Sequence, residues 1–178
     1  MAVLEALLFY FLLIVATLLV AKKKTWIQTL NHLGLQTKNQ NVMQIIRNSA
    51  LLVFIIFISL TVLSIILSLV IVDDSQKVSA IISTLSLPAI LVAVTIGPFA
   101  EELFFRGWLQ KNIGVVLSAL VFALLHFSFG SVAEIFGALV AGLVIGYWVK
   151  YRDSNLWPAI IAHAAYNTIS ILLVLVIK

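Results

Sequence analysis

Runs of about twenty apolar residues recur along this chain between short polar breaks, and a hydrocarbon core about 30 Å thick needs helices of that length. Six spans are read: about Val3 to Ala21, Ser49 to Val72, Ile81 to Leu109, Val115 to Phe129, Val132 to Val149, and Leu156 to Ile177. The last four are joined by breaks at Asn112-Ile113-Gly114, Gly130-Ser131 and Arg152-Asp153-Ser154-Asn155, short enough to make neighbouring helices antiparallel. Only 10% of the 178 residues are charged and the mean hydropathy is +1.18, where a soluble domain carries about 25% charged residues. The expected fold is an all-α, polytopic transmembrane bundle of about six spans. Residues 1–80 hold two spans and a basic loop, and residues 81–178 hold the remaining helices.

A net charge of +4 raises the question of nucleic acid, which the placement of the cations decides. Lys22, Lys23, Lys24, Lys38 and Arg47 fall in the first loop, Arg106 and Lys111 at the exit of the third span, and Lys150 and Arg152 before the last. Only Lys77 and Lys178 lie opposite. The positive-inside rule then puts both termini outside and the three basic loops in the cytoplasm, against anionic headgroups. No nucleic-acid motif is present. The first span lacks a basic leader, carries Glu5 early and is followed by three lysines, as an uncleaved anchor would be. The absence of cysteine excludes disulfides, thiol nucleophiles and Cys-zinc sites. Trp26, Ile27, Leu30 and Leu33 recur at near-helical spacing among polar residues, which predicts an interfacial helix; His32 beside them reads as a solvated loop residue without chemistry.

Charge at the centre of a membrane helix costs about 2.5–3.5 kcal/mol on the insertion scale, so it faces protein or water. This chain concentrates such residues on three predicted helices: Glu101, Glu102 and Arg106 on the third, His126 on the fourth, and His163 with Asn167 on the sixth. At about 1.5 Å of rise per residue, the glutamates lie about 14–15 Å in from Lys111, His126 about 18 Å from Gly114, and His163 and Asn167 about 10 and 16 Å from Leu156. All can reach one cavity at mid-membrane. Glu102 with Arg106, Phe122 with His126, and His163 with Asn167 are each i, i+4 pairs on one helix face.

The pattern Glu-Glu-x-x-x-Arg, then Phe-x-x-x-His, then His-x-x-x-Asn, on successive helices, resembles the family of CAAX prenyl proteases and bacteriocin-processing (Abi-type) membrane proteins. Phe105-Arg106-Gly107 and Asn155-Leu156-Trp157-Pro158-Ala159 extend the likeness, which covers Ser83 to Ile171. It marks residues 81–178 as the catalytic core of an intramembrane endopeptidase. Peptide hydrolysis needs an activated water, an oxyanion donor and a proton source. Desolvation strengthens a carboxylate as a base and an imidazole can share the water's proton, roles given to Glu101 and His126. The resemblance implies the same pairing and assigns oxyanion stabilisation to His163 and Asn167. Glu102 and Arg106 read as a structural ion pair, or as a means of keeping Glu102 ionised to orient the other groups. Phe122 and Tyr166 read as packing residues.

Glu101, His126 and His163 could instead hold a catalytic zinc ion, or another divalent metal, with water as fourth ligand. No His-Glu-x-x-His helix is present, and a glutamate mechanism without permanent metal is preferred. The proline of Gly97-Pro98 removes a helical hydrogen bond just before the glutamates, predicting a kink. Ala138, Gly142 and Gly146 form a small-residue stripe for close helix contact, and Glu134 reads as a favourable charge on a helix N-terminus. The expected function is cleavage of an apolar or lipid-modified membrane peptide in a bacterial-type plasma membrane: a prenylated CAAX tail, a bacteriocin precursor or a peptide pheromone. The rival classes are a non-enzymatic immunity or scaffold protein that binds a bacteriocin or partner, and an ion transporter, which the lack of an inverted repeat disfavours.

Overall fold

The computed structural model describes residues 2–36, 40–70, 74–152 and 155–176, and among them every regular element is a helix. Lys38, Val72, Asp153, Ser154, Ile177 and Lys178, which entered the loop and span assignments above, lie outside the described residues.

Helix α1 (Ala2–Val20) is the first span, and α2 (Trp26–Leu33) is the expected interfacial helix. Thr25 caps α2 by accepting from the Gln28 amide at 3.2 Å, and Gly34 ends it with φ of 83°, a left-handed conformation natural to glycine. Helix α3 (Val42–Val70) begins seven residues before the expected start at Ser49. The cause is a reciprocal cap: the Gln44 amide donates to Asn41 Oδ1 and the Asn41 amide to Gln44 Oε1, both at 2.8 Å. Hydropathy marks where lipid begins, whereas capping marks where the helix begins.

The third expected span is not one helix from Ile81. Helix α4 (Gln76–Ser83) stops before Ser86, and a new helix, α5 (Leu87–Val94), opens with Pro88 in its first turn, where a missing amide costs nothing. The chain breaks again at Thr95, one turn before Pro98 rather than at the proline itself, and resumes as α6 (Ile96–Glu102). A π-helix over Leu103–Leu109 and a short α7 (Gln110–Ile113) complete a span from Leu87 to Ile113. The fourth expected span is also short. Helix α8 (Val115–Leu125) has 11 residues, about 16 Å at helical rise, and ends at a 3-10 turn, His126–Phe129, so it reaches about half the thickness of a hydrocarbon core. Helices α9 (Val132–Arg152) and α10 (Trp157–Val176) match the fifth and sixth spans. Five helical segments are thus long and apolar enough to cross a membrane, and the chain is a multi-pass integral membrane protein.

Helix α8 packs along α9 through the small-residue stripe. A methyl group added at Gly142 would stand 3.2 Å from Ala119 Cβ, and one at Gly146 would stand 2.8 Å from both Val115 Cγ1 and Gln110 Oε1. The close approach also brings the two carbonyls within reach of neighbours: Arg106 donates to the Gly142 oxygen at 3.3 Å and Gln110 to the Gly146 oxygen at 3.1 Å. Gly146→Ala is therefore expected to destabilise the fold by about 1–3 kcal/mol, the usual cost of overpacking, read as a lower thermal midpoint in detergent. An unchanged midpoint would show that the α8–α9 contact yields freely.

At the other end of α9, Asp74 acts as a cap from outside the helix. Its carboxylate accepts from the Val132 amide at 2.9 Å, the Ser131 hydroxyl at 2.7 Å and the Ala133 amide at 3.1 Å. These donors, the Val132 amide foremost, hold its pKa well below the usual carboxylate range. A depressed folded pKa contributes stability that is complete above the ordinary value of 3.8 and is lost as pH falls through the folded value. The thermal midpoint should therefore drop on acidification below about pH 4, and Asp74→Asn should lower the neutral-pH midpoint while flattening that acid dependence.

Candidate active site

The breaks and the π-helix place the polar side chains. Helical backbone with i→i+5 bonding, found often at functional sites, follows immediately after Glu101 and Glu102 and carries Arg106. Arg106 Nη1 donates to Glu102 Oε1 at 2.8 Å, with Glu102 fully buried and Arg106 nearly so. The guanidinium also lies 4.7 Å from the Phe122 ring centroid, so three partners compensate its burial. The i, i+4 ion pair read from the sequence is present.

The same Glu102 oxygen accepts from His163 Nδ1 at 2.8 Å. A carboxylate next to a guanidinium can only accept, so Nδ1 carries a proton, and Nε2 is left for another partner. That nitrogen faces Glu101, whose Oε2 is 3.8 Å away. The distance is too long for a hydrogen bond and short enough for one water oxygen to touch both groups. The other Glu101 oxygen, Oε1, accepts from the Tyr10 hydroxyl at 3.0 Å. Tyr10 fits because residue 97 is glycine: a Cβ there would lie 3.2 Å from the ring carbon and hydroxyl of Tyr10.

His126 sits where α8 ends. Its Nδ1 is 2.9 Å from the Phe122 carbonyl oxygen, which can only accept, so here too Nδ1 is protonated and Nε2 is free in the neutral ring. The ring lies against Phe122 and Phe129. Asn167 Nδ2 donates to the Ala93 carbonyl at 3.0 Å, beside the Thr95 break, and retains a second N–H. Glu101, His126, His163 and Asn167 all line one cavity of about 740 Å³, with Tyr10, Glu134 and Tyr166 also on its wall. Phe122 packs against His126 and His163 at ring distances of 4.6 and 6.1 Å.

The residues singled out from the sequence are thus gathered, with a different pattern of partners. Glu101 is hydrogen-bonded to Tyr10 and faces His163 across 3.8 Å, with no contact to His126 among the described residues, and Glu102 is tied to His163 as well as to Arg106. Tyr10 was missed because it is a single tyrosine in an apolar span far from the motifs. A signal did exist: Tyr10, Thr17 and Ala21 recur at sevenfold and fourfold spacing, and the last two are fully buried. Glu134, read from sequence as a helix-terminus charge alone, also lines the cavity. For a metal, the donor set does not fit: among the described residues no three His, Asp or Glu side chains converge on one ion-sized position. Glu101, His126 and His163 are not arranged as a ligand triad.

Residues 83–169 match the model of the Rce1-like family, described as type II CAAX prenyl endopeptidase Rce1-like. This segment is similar to the Rce1-like family, and the match takes in just under half of the chain. The matched segment holds Glu101, Glu102, Arg106, His126, His163 and Asn167 and leaves Tyr10 outside its boundaries. Among curated relatives, an uncharacterized protein of Mycoplasma capricolum subsp. capricolum is 31% identical over 91 residues, 48% of this chain and 27% of that protein. Uncharacterized protein YpbD of Bacillus subtilis is 35% identical over 92 residues, 51% of this chain and 48% of its own length. The match thus spans about a quarter and about half of these two relatives. No solved structure matches the chain.

Proposed function

We propose that this chain is an intramembrane endopeptidase that hydrolyses a peptide bond in an apolar or lipid-modified, membrane-associated peptide, using water activated by Glu101 without a permanent metal. The observation that carries this reading is the 3.8 Å gap between Glu101 Oε2 and His163 Nε2 on the wall of a cavity large enough for a peptide segment. The water bridges the two atoms from the cavity side and gives its proton to Glu101 as it attacks the carbonyl carbon. Tyr10 fixes the rotation of the carboxylate, so that Oε2 rather than Oε1 faces the water. The free N–H of Asn167 donates to the developing oxyanion, and His163 joins it when the proton taken from water moves from Glu101 to Nε2. His126, anchored through Nδ1, offers Nε2 to relay that same proton to the leaving amine. Glu102 and Arg106 hold the proton on His163 Nδ1, which leaves Nε2 to receive the one from water.

The reaction takes place at membrane depth in a bacterial-type plasma membrane, with substrates among prenylated CAAX tails, bacteriocin precursors and peptide pheromones. The test compares, by mass spectrometry, membrane peptides from cells making the native chain and cells making Glu101→Gln at equal level. New peptide termini confined to the native chain, and undiminished by a chelator, are the expected result. Identical peptide sets would favour a binding protein over a hydrolase; loss under chelation with recovery on adding zinc would overturn the metal-free mechanism.

A further inference from the structure

A second convergence of charge lies away from the cavity, where α2 meets the end of the third span. The Lys23 amide donates to Thr29 Oγ1 at 2.9 Å, which folds the lysine run back against α2. Thr29 and His32 are three residues apart and share a helix face. Lys111, in α7, donates through Nζ to the His32 carbonyl. Three segments thus bring Lys23, His32 and Lys111 together, and among the described residues no carboxylate pairs with any of them. Partial burial, and then the charges of Lys23 and Lys111, hold the His32 imidazole below its ordinary value, as expected where cations gather without a counter-ion.

The surroundings name the missing anion. Trp26 and Ile27 at the start of α2 are 61% and 64% exposed, while Thr29 and Leu33 are fully buried against the protein. A short helix with outward Trp and Ile beside lysines lies in the headgroup layer. Its seat is firm: the Leu156 amide donates to the Gly34 oxygen at 2.8 Å, Trp157 Nε1 donates to the Leu35 oxygen at 2.9 Å, and a Cβ at Gly107 would stand 3.2 Å from the Leu33 oxygen.

We infer that Lys23, His32 and Lys111 form a binding site for the phosphate of an anionic phospholipid headgroup, with α2 as the anchor that brings it to the membrane surface. The proposal is independent of any hydrolytic activity.

The test uses the purified full chain in nanodiscs of phosphatidylcholine with and without phosphatidylglycerol, reading retained lipid by native mass spectrometry and the thermal midpoint. Phosphatidylglycerol should be retained and should raise the midpoint of the native chain. Lys23→Gln with Lys111→Gln should weaken its binding about thirtyfold, from the usual surface contribution of two lysines, whereas Lys22→Gln with Lys24→Gln should leave most of it. If Lys111→Gln impairs folding, Lys23→Gln alone keeps the test valid, because its side chain makes no hydrogen bond among the described residues, and Lys111→Arg should retain binding. Equal losses in the two double variants would reduce the site to diffuse positive charge and overturn the proposal. So would an equal midpoint shift from inorganic phosphate in neutral lipid, which would assign the site to a soluble ion.

Discussion

Arg106→Met is expected to cost about 3–5 kcal/mol of stability, because it leaves the Glu102 carboxylate buried without its guanidinium. The pair is enclosed on every side: Glu102 shows no exposed surface, and its second oxygen has no hydrogen-bond partner among the described residues. Methionine fills much of the arginine stem's volume, so the loss reports charge more than space. The double variant Arg106→Met with Glu102→Gln should be far milder, since the amide oxygen of glutamine can still accept from His163 Nδ1 while no net charge stays buried. Thermal unfolding of the singles and the double in one detergent measures the coupling directly. If the double is as unstable as the Arg106 single, the two side chains act separately and the ion-pair account fails.

For Glu101→Gln, the expectation is the opposite: a fold that survives and a rate that does not. With a peptide identified, kcat should fall about 10²–10⁴-fold, the range for removing a positioned general base, while the thermal midpoint stays close to native. Glutamine still accepts from the Tyr10 hydroxyl, which preserves the wall of the cavity, but it cannot take a proton from water. A variant retaining most of the native kcat would remove Glu101 from the chemistry. A fall matched by loss of folded protein would shift the explanation to structure.

How much of this was readable before the coordinates depends on which interaction decides each feature. Apolar runs located the helices, since lipid selects for length and hydropathy over whole segments. They misplaced the start of α3, where two polar side chains, Asn41 and Gln44, set the boundary. They also merged α4 with α5, because the stop at Thr84 lies within an apolar stretch and Pro88 opens a new helix rather than bending an old one. The three motifs identified which polar residues meet, since their spacing puts them on common faces. Spacing carries no information about how far one helix is rotated against another, so the partner of Glu101 came out as His163 and not His126. Nor could the π-helix be read from Leu103 to Leu109, where Arg106 and Gln110 donate to the Gly142 and Gly146 carbonyls 36 positions on, contacts that local sequence does not announce.

The bond between Glu102 and His163 joins residues 61 positions apart, and ribosomes deliver residues at about 5–20 per second. For roughly 3–12 s, a growing chain therefore has both glutamates made and no imidazole opposite them. A nascent molecule in the insertion machinery would lack the Glu102–His163 bond throughout that interval, so the polar cluster closes only as the last helix is made.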